Sequence, residues 1–152
     1  MKIGFGFDSH KLISKKPLIL GGVPIPSDIG PKAHSDGDAL VHAVIDALLG
    51  AAKKGDIGRL FPDSDPKYKG IDSLKLLAET VKMIKSGFHI SNVDATVILD
   101  KPKLQPFIGL MEKNIARVLE IDSSDVSVKA KTSEGLNTDL IECYAVCLLE
   151  DI

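Results

Sequence analysis

Residues 39–52, ALVHAVIDALLGAA, decide the fold class. Leu40, Val41, Val44, Ile45, Leu48 and Leu49 recur at helical spacing, so this is a helix whose apolar face needs a second layer to pack on. Asp36 and Asp38 stand just before it, where carboxylates suit the unpaired N–H groups of a helix N-terminus. Outward from this helix the chain supplies strands. Residues 1–10 read as a strand whose glycines let another part of the chain approach its backbone closely. Pro17–Val23 is a short apolar run stopped by Gly and Pro, read as a second strand, and residues 24–38 read as a loop. Residues 55–71 form a long polar loop, a length that usually marks a functional or mobile segment.

Asp72 caps a second helix running to about Ser86, with Leu74, Leu77, Val81 and Ile84 as its stripe and Gly87 as its stop. Val93–Leu99 is a β-branched strand. Pro106 opens a third helix through Leu119, with Ile108, Met111, Ile115 and Val118 turned inward. Val126–Lys131 alternates as a half-buried strand, and Ile141–Leu149 is the last one. About five strands and three long helices predict an α/β fold of the α+β two-layer kind. The expectation is one domain over residues 1–152, with a mixed sheet of four to five strands and three helices on one face.

Composition narrows the function. A net charge of −2 in 152 residues offers no basic excess for nucleic acid or an anionic membrane. With no Trp, two Tyr and five Phe, a base-stacking platform is not expected. There is no signal peptide and no apolar run of membrane-spanning length, so a reducing bacterial cytoplasm is the expected setting. Cys143 and Cys147 would share one strand face and read as two small buried hydrophobes rather than a disulfide or metal pair.

Five clusters could carry chemistry. Asp8 and His10, two apart in a strand, point to the same side and can converge on a metal; the same spacing also suits a surface Asp and a hydrogen-bonded His. His42 lies in the first turns of the helix, behind the polar segment Ala33-His34-Ser35-Asp36-Gly37-Asp38. Two His and one carboxylate make a three-ligand zinc set with one position open. Gly55-Asp56-Ile57-Gly58 with Phe61-Pro62-Asp63-Ser64-Asp65-Pro66 suits hydroxyl recognition or plain turn chemistry. Lys129 to Glu134, at a strand end, offers groups for phosphate and a divalent cation. Lys101-Pro102-Lys103 is either a solvated turn or a phosphate or base pocket.

Taken together, these segments resemble the 2-C-methyl-D-erythritol 2,4-cyclodiphosphate synthase family of non-mevalonate isoprenoid biosynthesis. The matching stretches are GFDSH at 6–10, LGGV at 20–23, AHSDGD at 33–38, His42, DALLGAA at 46–52, GDIG at 55–58, LFPDSDP at 60–66, NVDAT at 92–96 and VKAKTSE at 128–134. The resemblance implies cyclisation of 4-diphosphocytidyl-2-C-methyl-D-erythritol 2-phosphate, whose 2-phosphate attacks its own β-phosphorus and expels CMP. It implies zinc on Asp8, His10 and His42, and a second cation, Mg or Mn, on Glu134. His34 and Thr132 would stabilise the transition state. Asp8, His10, His34 and Ser35 would also touch substrate. Asp56, Ile57 and Gly58, with Phe61, Pro62, Asp63, Ser64 and Asp65, would hold the methylerythritol. Asp100, Lys101, Pro102, Lys103 and Leu104 would line the cytidine pocket, together with Lys131, Thr132, Ser133 and Glu134. The resemblance further implies a homotrimer with sites between subunits.

One departure stands out. The family's glycine-rich segment after Glu134, with its Phe and Arg, is reduced here to Asn137-Thr138-Asp139-Leu140, and Phe5 stands where a His is common. The same three metal ligands would also serve a zinc phosphoesterase acting on a nucleotide-like molecule. A non-catalytic nucleotide-binding module would have no use for them.

Overall fold

In the computed structural model, which describes residues 1–152, the deciding helix is α1 (Ala39–Ala51). It lies on β1 (Lys2–Ser14) and on β7 (Leu140–Asp151). The contact with β1 leaves no space: a Cβ on Gly4 would fall 1.8 Å from the Ala47 carbonyl oxygen, and one on Gly6 1.9 Å from that of Ala43. The close approach expected of these glycines is therefore made by the helix backbone itself.

The main sheet has five strands in the order β4-β1-β7-β5-β6, where β4 is Ile29–Pro31, β5 Phe88–Ile98 and β6 Val126–Lys131. Only β5 and β6 run parallel, so the sheet is mixed. Strand side chains alternate. Val93, Ala95, Val97, Cys143, Ala145 and Cys147 are buried in the helical layer, with both cysteines free, as two small hydrophobes would be. In that layer α4 (Ile108–Leu119) packs on β6, and α3 (Ser73–Ile84) lies against α1 and α4. The opposite sheet face is open; it is apolar along β1 and β7, with Ile3 76%, Phe5 63%, Phe7 43% and Val146 43% exposed, and polar toward β5 and β6, where Asp94 pairs with Lys129.

The structure departs from the sequence reading between residues 17 and 38. Pro17–Val23 is not one strand but the first arm and turn of a hairpin, β2 (Leu18–Leu20) to β3 (Val23–Ile25). Gly21 and Gly22 take φ of 58° and 71°, the consecutive left-handed pair that a two-residue hairpin turn requires. The expected loop thus contains β3 and also β4, which pairs with the end of β1. The long loop at 55–71 contains one short helix, α2 (Ile57–Leu60). The third helix is preceded by a 3₁₀ turn, Gln105–Phe107, so Pro106 sits before the α-helix proper.

Asp38 joins these parts. It caps α1 by accepting from Val41 N–H at 3.1 Å, and it accepts from Gly21 and Gly22 N–H at 3.0 and 2.8 Å. It is fully buried, and that burial pushes its carboxyl up to about 6 against the pull of the three N–H donors.

Two outcomes follow for stability. Gly6→Ala forces α1 off β1 and should cost about 3 kcal/mol, read from urea unfolding midpoints. Asp38→Ala leaves the hairpin N–H groups without their acceptor and the helix without its cap, and should cost about 3 kcal/mol in the same assay.

Candidate metal centre and substrate cleft

The close fit of α1 on β1 delivers His42 to the two side chains that β1 presents. Asp8 and His10 lie opposite Cys143 and Ile141 of β7, on the helix-facing side. One ligand atom each of Asp8, His10 and His42 lies within 4.8 Å of the others. Asp8 Oδ2 is 2.8 Å from His10 Nε2 and 3.1 Å from His42 Nδ1. His10 Nε2 is buried yet has no hydrogen-bond partner, so its contact with Asp8 lacks hydrogen-bond alignment. Three donors that crowd one point, one of them an orphaned buried nitrogen, fit a divalent metal ion, and the imidazole–carboxylate set suits a borderline-soft one.

Electrostatics agree with this fit. Burial works to raise the Asp8 carboxyl, but the imidazoles of His10 and His42 outweigh it and hold it down at about 2. Burial works against a charged His42, yet its bond to Asp8 lifts it above the ordinary 6.5. Asp8 is thus a carboxylate at any working pH.

The trio opens into a cleft of about 150 Å³, lined also by His34, Ser35, Ile57, Gly58, Phe61 and Asp63. His34 Nε2 is a second buried nitrogen without a partner. Asp56 caps α2 through Arg59 N–H at 2.8 Å, and Asp65 caps the turn at Pro66–Tyr68 through Lys67 N–H at 3.1 Å. Those two carboxylates, with Pro62 and Ser64, frame the loop rather than line the cleft. Sequence reading missed Tyr68, Ile71 and Leu76 in the wall, and Asp46, which accepts from Ile57 N–H at 2.8 Å and pins α2 to α1. Asp46 lies one turn beyond His42 on α1, a periodicity that pointed to it.

The remaining predicted residues gather elsewhere. Asp100, Pro102, Lys103, Leu104, Lys131 and Thr132 line a separate pocket of about 190 Å³ past the C-terminal ends of β5 and β6. The two pockets share no lining residue. Lys101, Ser133 and Glu134 border the second one without lining it. Asp100 holds the turn there, accepting from Ser133 N–H at 2.6 Å and Gly135 N–H at 3.1 Å, bonds that lower its carboxyl. Thr132 Oγ1 accepts from Glu134 N–H at 3.2 Å. No helix is long and apolar enough to cross a membrane.

Fold and cleft together define an α+β domain built around a candidate metal centre. The chain belongs to the YgbB family, whose profile matches residues 1–150. It is 50% identical to the 2-C-methyl-D-erythritol 2,4-cyclodiphosphate synthase of Desulforamulus reducens, covering 99% of each chain. It is 51% identical to that of Clostridium perfringens, over 98% of this chain and 99% of the other. A solved structure described as 2C-methyl-D-erythritol-2,4-cyclodiphosphate synthase, bound form CDP, superposes with a TM-score of 0.93 at 41% identity, covering 98% and 100%.

His42→Ala should abolish tight zinc binding, measured by metal analysis after dialysis; stoichiometric zinc in the variant would contradict the assignment. In the metal-free protein the proton held by His42 must leave before its Nδ1 can ligate. Zinc affinity should therefore fall by at least tenfold per pH unit, the share of that one proton, once the pH drops below the raised His42 value. Asp8 adds nothing to this loss above pH 4, because it stays ionised down to about 2.

Proposed function

We propose that this protein cyclises 4-diphosphocytidyl-2-C-methyl-D-erythritol 2-phosphate to 2-C-methyl-D-erythritol 2,4-cyclodiphosphate with release of CMP. An oxygen of the 2-phosphate forms a bond to the β-phosphorus, and the bond from that phosphorus to the bridging oxygen breaks, so the oxygen leaves with CMP. The observation that carries the reading is the convergence of Asp8, His10 and His42 in one cleft. It is supported by end-to-end likeness to cyclodiphosphate synthases at about half identity. Such a transfer needs little covalent help from protein; it needs positioning and charge neutralisation.

The residues divide that work. Asp8, His10 and His42 hold zinc. When bound, zinc supplies a Lewis acid that draws charge from the β-phosphate. Glu134 would offer a carboxylate to a second cation, Mg or Mn, which would supply further charge neutralisation to the substrate diphosphate. His34, with its unpartnered Nε2, and the Thr132 hydroxyl donate toward the oxygens that gain charge. Ile57 and Gly58 present backbone to the methylerythritol, beside Phe61 and Asp63. Lys103 and Lys131 face the pocket read here as the cytidine site.

We further read the working form as a homotrimer with each site shared by two copies. His34 and Thr132 line different pockets in one chain, and the outer sheet face is apolar and uncovered along β1 and β7. Burial of that face would supply the association energy.

Phosphorus NMR of the reaction mixture tests the chemistry. A cyclic diphosphate with CMP is the expected outcome, and a ring-opened phosphate would instead mark a zinc phosphoesterase. His34→Ala should lower kcat by roughly a hundredfold to a thousandfold, on the scale of a lost oxyanion donor. Light scattering at a trimer mass is expected, and a monomer that turns over at full rate would sink the shared site.

A further inference from the structure

Two polar residues behind the metal centre have no part in the cleft. Ser73, the first residue of α3, is fully buried, and Asp36 sits in the segment before α1. The Ser73 hydroxyl lies 2.8 Å from His42 Nε2 and is also bonded to Asp36 Oδ1. Asp36 Oδ2 accepts from Ser73 N–H at 2.9 Å, and Asp36 Oδ1 from Asp38 N–H at 3.1 Å.

The direction of this chain follows from proton counting. A serine hydroxyl has one proton, and an ionised carboxylate only accepts. The Ser73 proton therefore goes to Asp36, and the Ser73 oxygen must accept from His42 Nε2–H. Ser35 Oγ stands farther off, 3.3 Å from the same nitrogen, and itself accepts from Gly37 N–H at 3.2 Å. With a proton on Nε2, the neutral ring carries its lone pair on Nδ1, the nitrogen that faces Asp8 at 3.1 Å.

We propose that Asp36 and Ser73 are positioning residues for the metal ligand His42, a carboxylate–hydroxyl–imidazole series that fixes the ring and aims Nδ1 at the ion. The proposal rests on reading Asp8, His10 and His42 as the metal centre. Partners of this kind, one bond removed from the metal, govern both ligand orientation and basicity.

The series also ties the centre to the substrate loop. Ser73 follows directly on the 61–72 segment, which is stitched to the Asp36 segment by Asp36 N–H to the Ile71 carbonyl at 3.3 Å and Gly70 N–H to the His34 carbonyl at 3.0 Å. Ordering the loop and seating the metal ligand thus draw on the same hydrogen bonds.

The test uses the full chain and zinc alone, by competition with a chromophoric chelator. Ser73→Ala should weaken zinc about tenfold to a hundredfold, Asp36→Ala by a similar factor, and Ser73→Thr should restore affinity to within a few-fold. Long-range ¹H–¹⁵N spectra of the zinc-loaded wild-type protein give a reading that needs no variant. They should show His42 protonated at Nε2 and metal-bound at Nδ1; the reverse assignment overturns the proposal even if the variants fold poorly. Should His42→Ala lose zinc while Ser73→Ala keeps wild-type affinity, the relay is wrong and the metal centre stands. Should His42→Ala keep zinc, the metal centre itself is misread and the relay falls with it.

Discussion

Helix α1 rests on bare backbone. At Gly4 and Gly6 the strand presents no side chain, and the carbonyl oxygens of Ala47 and Ala43 occupy the space where a Cβ would be. That contact sets the distance between the two layers where they meet most tightly. His42 adjoins Ala43 on the helix, and Asp8 is the next residue after Gly6 on the same strand face, so the same contact sets the spacing of the candidate metal ligands. A thicker interface would still bury a core, but it would carry the imidazole away from the carboxylate. Close packing and ligand convergence are one constraint here, because side-chain metal sites tolerate only tenths of an ångström.

What could be read from sequence was whatever obeys a short period. The helix of residues 39–52 and its Asp38 cap were legible, because helical spacing and cap chemistry are local. So was the pairing of Asp8 with His10, since alternate residues of a strand share a face. The stretch PLILGGV, residues 17–23, was read as one strand because its apolar residues run together up to a Gly and Pro stop. The structure uses both glycines in left-handed conformations to turn the chain back at once. Asp36 was taken for a helix-end carboxylate, yet it bonds across to Ser73, a partnership between segments that no local pattern announces.

The placement of the residues around the second pocket shows a different limit. Asp100, Lys103, Lys131 and Thr132, which the family resemblance put together, line one pocket because two parallel strands end side by side. Their separation from the Asp8 cleft is a property of three dimensions. Parallel strand ends open a crevice at one place in the sheet, whereas the candidate metal ligands sit where α1 crosses β1. Two separate pockets in one chain, and a sheet face with Ile3, Phe5 and Phe7 exposed, are the observations on which the proposed association of copies rests.

The pairing of β1 also governs when this molecule can become active. Along residues 2–11 its hydrogen-bonded neighbour is β7, from the opposite end of the chain, with Asp8 set against Cys143. During synthesis Asp8 and His10 emerge first and must wait for residues 140–151. At about 5–20 residues per second that wait is of order ten seconds. Over that interval the edge of β1 that carries Ile3, Phe5 and Phe7 lacks the β7 strand that will pair with it. Sequence-distant closure of this kind is slow on the scale of helix formation, so the pairing that seats Asp8 is among the last contacts the chain can make.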